Sequence, residues 1–229
     1  MDASAVREGS SQMALLKAQF ASLGVCALPG AVSLARVGRA RDAALTYFAD
    51  VTHTVTQLGL EETLQAGGFA TFKSRDRGRF DMVVPAFVDA FVEREKGLDF
   101  LRDDCEKACP WLAAVRALLS PNARLCHVGV ILALCDSATQ KWHSDGDHCH
   151  DELQLPPHAL NVFVPLVDVT LANGATEFLP GSHLDWQAPG HRPLVLEAKQ
   201  GDVLLFDWRL KHRGLANKTR APRPHTTTA

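Results

Sequence analysis

The spacing of apolar residues changes near residue 121, dividing the chain into a helical half and a strand-rich half. In the first half, Leu16, Phe20 and Leu23 recur at helical spacing behind Ser11, a residue able to cap a helix, and Gly24 can end it. From Ser33 to Gly59, the positions Leu34, Val37, Leu45, Phe48, Val51, Val55 and Leu58 trace one face, with Arg36, Arg39, Arg41 and Asp42 mostly off it. This is the longest predicted helix. Residues 67–80, GGFATFKSRDRGRF, mix glycines with basic residues and predict a solvated loop or short hairpin. Its cations should face water unless Arg79 or Lys73 meets an anionic ligand. A further helical stretch is expected near Pro85, and Pro110 suits the first turn of another that carries Trp111, Val115, Leu118 and Leu119.

After Pro121 the pattern is that of strands. In RLCHVGVILALC (124–135), Val128, Val130, Leu132 and Leu134 alternate, and the run is apolar enough to be covered on both faces. ALNVFVPLVDV (159–169) predicts another strand, with Pro165 suggesting an edge or bulge. Asn173-Gly174 and Pro180-Gly181 mark turns on either side of a short strand from Thr176 to Leu179. PLVLEA (193–198) and VLLFDW (203–208) continue the series, joined by the Gln200-Gly201-Asp202 turn. Such spacing predicts an antiparallel barrel or sandwich, with the N-terminal helices buttressing one face.

Composition narrows the class. A chain of 229 residues fits one domain over 1–229, helical to about 120 and strand-rich beyond. Its 24 Lys plus Arg against 26 Asp plus Glu give no electrostatic reason to expect nucleic acid or an anionic membrane as partner. No run approaches the roughly eighteen uninterrupted apolar residues of a spanning helix. The opening MDASAVREGSSQ lacks a basic segment followed by an apolar one, so a cytoplasmic location is expected. The six cysteines form no CxxC pair and are expected to be mostly reduced and buried, Cys149 standing apart within HSDGDHCHD.

Candidate chemistry centres on QKWHSDG (140–146). In an extended segment, His143 and Asp145 point to the same side because side chains alternate with a period of two. His212, just past the VLLFDW strand, can supply a third ligand at the mouth of the same barrel. Two imidazoles and a carboxylate on one side of a metal leave the other side open, the facial arrangement of non-haem Fe(II) oxygenases. A competing reading takes zinc at HSDGDHCHD through His143, His148, Cys149 and His150, though four ligands crowded into eight residues lack the two-pair spacing of structural zinc.

A resemblance sharpens this reading. QKWHSDG, LNVFVPLVDVTLANGATEFLPGSH, GDVLLFDW and HRGLANKTRAPR follow one another as corresponding segments do in the phytanoyl-CoA dioxygenase family of Fe(II)/2-oxoglutarate-dependent oxygenases. QFASLGVCALPG (19–30) and the helix after it also resemble that family's opening, so nearly the whole chain is covered. The resemblance implies a mainly β fold with flanking helices: a double-stranded β-helix (jelly-roll, cupin-like) core buttressed by N-terminal helices. It implies Fe(II) held by His143, Asp145 and His212, with 2-oxoglutarate and O2 as cosubstrates. Arg223, eleven residues after His212, matches the arginine that grips the distal carboxylate of 2-oxoglutarate, with Arg220 as the nearer alternative; a planar guanidinium suits a carboxylate. Asn161 can donate its amide to the other end of the cosubstrate or serve as a polar strand residue. Gln140 and Trp142 border the metal and can shape the cosubstrate or substrate space; Trp142 equally suits packing on the barrel rim.

By the same resemblance His183 belongs to a structural loop, while His148 and His150 are expected in solvent or at the substrate. His127 should be a core or rim residue. The implied reaction hydroxylates a C–H bond of a small molecule and releases succinate and CO2. Related halogenases carry a small residue at the carboxylate position, whereas Asp145 is retained here. One feature departs from the family: Arg223 sits between Pro222 and Pro224 in a tail, APRPHTTTA, that reads as a poor strand. The departure keeps open a catalytically weak or inactive relative that binds a small molecule or metal, and the HCH cluster keeps open a zinc-binding interaction domain.

Overall fold

The computed structural model describes residues 3–83, 111–124, 126–150, 153–185 and 192–228. The helix expected near Pro85, and Pro110 itself, lie outside them. Helix α1 (Ala3–Leu23) begins well before Ser11 and ends at Gly24, which adopts φ +77°. Strand β1 (Val25–Leu28) follows, then α2 (Leu34–Gln57), whose cap residue is Ser33, and the short α3 (Glu61–Gln65). The glycine-rich basic stretch forms a hairpin, β2 (Phe72–Asp76) and β3 (Arg79–Val83). After α4 (Leu112–Leu118) come β4 (Val128–Ala133), β5 (Leu160–Pro165), β6 (Thr176–Phe178) and β7 (Leu194–Leu196). The chain finishes with β8 (Val203–Asp207), β9 (His212–Gly214) and β10 (Arg223–Thr228).

Among the described residues the strands form two antiparallel sheets, one of seven strands in the order β1-β8-β5-β10-β4-β3-β2 and one of three in the order β7-β6-β9. Alternation sorts the large sheet into two faces. On the outer face, Val130 and Leu132 of β4, Val162 and Val164 of β5, and Leu205 of β8 pack with Leu16 and Phe20 of α1, Val37 and Ala40 of α2, and Trp111 at the start of α4. The inner face turns Phe163 of β5 and Leu204 and Phe206 of β8 toward Phe178 of the small sheet, closing a second apolar core between the sheets. The result is the jelly roll with helices on one face that the sequence implies, although β1, β2 and β3 join the sheet from the helical half.

Two expectations built on proline are corrected. β5 lies between β8 and β10, so Pro165 marks neither an edge nor a bulge. The tail is not a poor strand either: β10 pairs with β4 from Arg223 to Thr228 and with β5 from His225 onward. In an antiparallel strand the N–H and C=O of one residue point to the same side. The carbonyl of Pro224 accepts from Leu166 N at 3.3 Å, so its missing donor points past Pro165, where β5 has ended. Likewise Pro165 O accepts from Gly201 N at 3.2 Å, ahead of the first residue of β8. Each proline therefore falls where no ladder bond is lost.

Candidate metal centre

Three hydrogen-bonded segments bring the candidate ligands together. His143 and His212 exchange backbone bonds, His143 N to His212 O at 3.1 Å and His212 N to His143 O at 2.8 Å. The carbonyl of Trp208 accepts from both Asp145 N (3.0 Å) and Gly146 N (3.1 Å), which holds the His-x-Asp segment against the turn between β8 and β9. A buried ion pair fixes that turn: Arg209 donates Nε to Asp207 Oδ1 at 2.9 Å and Nη2 to Oδ2 at 2.7 Å. Its remaining Nη1 donates to Leu155 O at 3.0 Å. His212 thus opens a strand of the small sheet and is not the trailing end of β8. His143 lies ten residues past the end of β4, held by its bridge to His212.

The ligand atoms of His143, Asp145 and His212 all lie within 4.8 Å of one another. Each imidazole places Nδ1 2.9 Å from the carbonyl two residues earlier, Lys141 O for His143 and Leu210 O for His212. A carbonyl only accepts, so Nδ1 carries the proton and Nε2 keeps its lone pair for the centre. His212 is buried against Phe206 (ring centroids 4.9 Å apart) and Phe178 (6.0 Å). Burial lowers its pKa, against the opposing pull of Asp145, and favours the neutral, ligating form. Asp145 is about a third exposed, at 34%, which leaves one side of the cluster open to the exterior.

Asn161, on the inner face of β5 and 3% exposed, donates Nδ2 to Asp145 Oδ2 at 2.7 Å. The sequence left this amide either to reach the cosubstrate or to serve as a polar strand residue; in the structure it holds the carboxylate of the candidate ligand Asp145. Gln140 Oε1 accepts from Gly214 N at 2.9 Å, placing the glutamine beside β9 two residues beyond His212. Trp142 packs at the rim under the guanidinium of Arg213, 4.4 Å from its ring centre, while Arg213 also pairs with Glu177 at 2.7 Å.

Arg223 is 1% exposed and opens β10 on the inner face. Its Nη1 contacts His225 Nδ1 at 2.7 Å, whereas Nε and Nη2 are buried without a partner among the described residues. Burial, and then the nearby Arg79, pull its pKa down to about 9. Arg220 takes no part in these contacts. Arg79 was missed as an interior residue: it is 1% exposed and donates Nη2 to Ala138 O (3.2 Å) and Leu215 O (3.1 Å), leaving Nε unpartnered. Lys73, from the same hairpin, is exposed as expected.

The remaining histidines divide as follows. His183 is buried in the loop after β6, its Nε2 3.2 Å from Ala21 O, outside the ligand cluster. Cys149 and His150 are exposed and His148 half-buried, and none of them joins a metal-capable group among the described residues. The expectation of mostly buried cysteines is corrected among the described residues: Cys26 is buried, but Cys126 and Cys135 are exposed like Cys149, because they flank β4 outside its covered run. His127 is half-buried next to β4. Gly174 of the NGATEF segment takes φ +90°, and a Cβ there would meet Leu215 O at 2.5 Å, so this turn needs glycine to sit against the chain leaving β9.

A jelly roll with two imidazoles and a carboxylate converging between its sheets is the frame of the facial-triad, non-haem iron class. The chain belongs to the phytanoyl-CoA dioxygenase (PhyH) family, whose sequence pattern it matches over residues 20–225. It is 40% identical over 67 residues to the Fe(II)/2-oxoglutarate-dependent dioxygenase nvfF of Aspergillus novofumigatus, a match covering 28% of this chain and 22% of that protein. It is 36% identical over 88 residues to the dioxygenase hkm4 of Aspergillus hancockii, covering 35% of this chain and 28% of that one. These matches span less than a third of either relative's length. Among solved structures, AviO1 from Streptomyces viridochromogenes superposes with a TM-score of 0.66 at 18% identity, over 94% of this chain and 93% of that one. The α-ketoglutarate-dependent epimerase SnoN from nogalamycin biosynthesis gives 0.62 at 20% identity, over 96% and 82%. At these identities the superpositions establish the fold.

Proposed function

We propose that the protein is an Fe(II)- and 2-oxoglutarate-dependent dioxygenase that hydroxylates a C–H bond of a small molecule and releases succinate and CO2. The observation that carries this reading is a pair of features inside the jelly roll. Two imidazoles have their Nε2 atoms freed toward a carboxylate, and an inward-facing arginine keeps two buried donors without an acceptor among the described residues. The donor set fits both groups. Neutral imidazoles with a carboxylate suit Fe(II), and a guanidinium with a free pair of donors suits a carboxylate.

His143, Asp145 and His212 would hold the iron, and Arg223 the distal carboxylate of 2-oxoglutarate. Bound iron, with 2-oxoglutarate and O2, supplies the oxidising chemistry. The protein's own residues do the rest. The backbone carbonyls at Lys141 and Leu210 fix the tautomer of each imidazole, Asn161 holds the Asp145 carboxylate, and Phe178 and Phe206 keep water from His212. The exposed edge of Asp145 marks the side from which substrate would arrive. Hydroxylation is favoured over halogenation because the carboxylate ligand is kept.

The alternative of an inactive relative rested on the prolines beside Arg223, and the regular pairing of β10 removes that ground. The similar solved structures include an epimerase and a carbocyclase, so the fold alone does not fix the outcome at the substrate. Among the described residues no helix is long and apolar enough to cross a membrane, and a cytoplasmic location is part of this proposal. The test adds Fe(II) and 2-oxoglutarate anaerobically and records the visible charge-transfer band of the chelate, then admits air and measures succinate. The band and succinate are expected from the native chain and neither from His143→Ala. A native protein that binds both additives yet gives no band would refute the assignment.

A further inference from the structure

His225 is the next inward-facing residue of β10 after Arg223, it is 4% exposed, and the assigned functions leave it unused. Its Nδ1 lies 2.7 Å from Nη1 of Arg223. A guanidinium only donates, so Nδ1 is the acceptor and the proton of the neutral ring sits on Nε2. Phe163 packs against the ring, centroids 4.6 Å apart, and the strand register places Pro165 and Ile131 on either side of it. Arg223, Arg79 and His212 are the charged or titratable groups that face it, and burial is the main influence keeping it neutral.

A guanidinium can meet a carboxylate end-on through Nη1 and Nη2 or side-on through Nε and Nη2. The bond to His225 takes one of the two Nη1 donors, so Nη1 is already engaged on the end-on edge. The two atoms of the side-on edge are the ones that are buried without a partner. We propose that His225 is a positioning residue that turns the Nε and Nη2 edge of Arg223 toward the distal carboxylate of the cosubstrate. This rests on the reading of Arg223 as the cosubstrate arginine. In the position of His225, a side chain that only filled space would leave Arg223 free to rotate between its edges.

The test compares His225→Phe, which keeps a ring and loses the acceptor, with His225→Asn, whose Oδ1 takes the place of Nδ1. Anaerobic binding of 2-oxoglutarate to the Fe(II)-loaded protein is titrated by absorbance, alongside binding of 2-oxobutanoate, which has the same chelating end and no distal carboxylate. His225→Phe should weaken 2-oxoglutarate binding about tenfold, the effect of one charged hydrogen bond, and leave 2-oxobutanoate binding unchanged. His225→Asn should restore most of the affinity. Equal weakening toward both oxoacids, or a His225→Asn protein no better than His225→Phe, would overturn the proposal. Should His225→Phe fail to fold, His225→Leu carries the same comparison. Arg223→Leu separates the two levels: if it leaves 2-oxoglutarate binding intact, the role of Arg223 itself fails, whatever the His225 variants show.

Discussion

Arg79 of β3 and Arg223 of β10 flank Ala133 of β4 on the inward face of the large sheet, each directly opposite it in the strand register. Both guanidiniums are buried, and their partners differ. Arg79 reaches two backbone carbonyls, whereas among the described residues Arg223 has only the nitrogen of His225. An unpaired buried charge destabilises a fold, and a bound carboxylate relieves that penalty. Arg223→Met should therefore leave the melting temperature of the ligand-free protein unchanged or higher, while abolishing the rise that 2-oxoglutarate produces in the native protein. Arg79→Met strands two carbonyls and should lower stability by about 2 kcal/mol. Differential scanning fluorimetry with and without 2-oxoglutarate checks both, and a large drop for ligand-free Arg223→Met would contradict this account.

On the proposed assignment, Asn161 would act on a bound metal through Asp145. Its amide holds Oδ2 at 2.7 Å, and Asp145, being partly exposed, has few other restraints among its neighbours. Loss of an outer partner of a ligating group lowers metal affinity by about 10- to 100-fold. Asn161→Leu should show a loss of that size in anaerobic Fe(II) titrations followed by calorimetry, with the fold retained by circular dichroism. An unchanged Fe(II) affinity would return Asn161 to the role of a polar strand residue.

Spacing made the ligand trio a candidate, with His143 and Asp145 two apart in an extended segment and His212 just after the strongly apolar β8. Spacing alone was weak evidence, and the resemblance of the ordered segments to the family is what joined the three. Arg79 was not legible. Its hairpin is rich in charge, and only pairing of β3 with β4 carries that one cation inward while Lys73 and Arg75 stay outside. β10 was obscured by its prolines. Their tolerance depends on where neighbouring strands end, which local sequence does not encode. The alternation in RPHTTT already set Arg223 and His225 on one face, a signal hidden once the tail was read as irregular.

Gly214 is where the backbone of β9 comes closest to the buried polar groups. A Cβ there would lie 2.8 Å from Gln140 Oε1 and 2.9 Å from Arg79 Nη1. Both side chains are held by bonds in the same corner, so neither can retreat without losing a partner. Gly214→Ala should cost about 1–3 kcal/mol in chemical denaturation, the usual range for overpacking. It should also raise the KM for 2-oxoglutarate more than it lowers kcat, if Gln140 and Arg79 border the cosubstrate. A variant with native stability would show that this corner yields easily.

Acid should destabilise the metal-free protein, and His225 supplies a measurable share of the effect. Burial holds its folded pKa well below the ordinary 6.5. Between those two values the unfolded chain binds a proton that the native state does not. Stability contributed in this way is complete above pH 6.5 and falls as the pH drops through the window, by up to about 1.4 kcal/mol per pH unit for one such group. His212, whose pKa burial also lowers, acts with the same sign. Carboxylates change stability over part of the same range, so the informative quantity is a difference between proteins. Urea denaturation of metal-free native protein and of His225→Asn, at pH 7, 6 and 5, should show a shallower loss in the variant by about one proton's worth between pH 6 and 5. Parallel pH dependences would mean that the imidazole takes up its proton equally readily in the folded and unfolded chain, and that its burial does not hold it neutral.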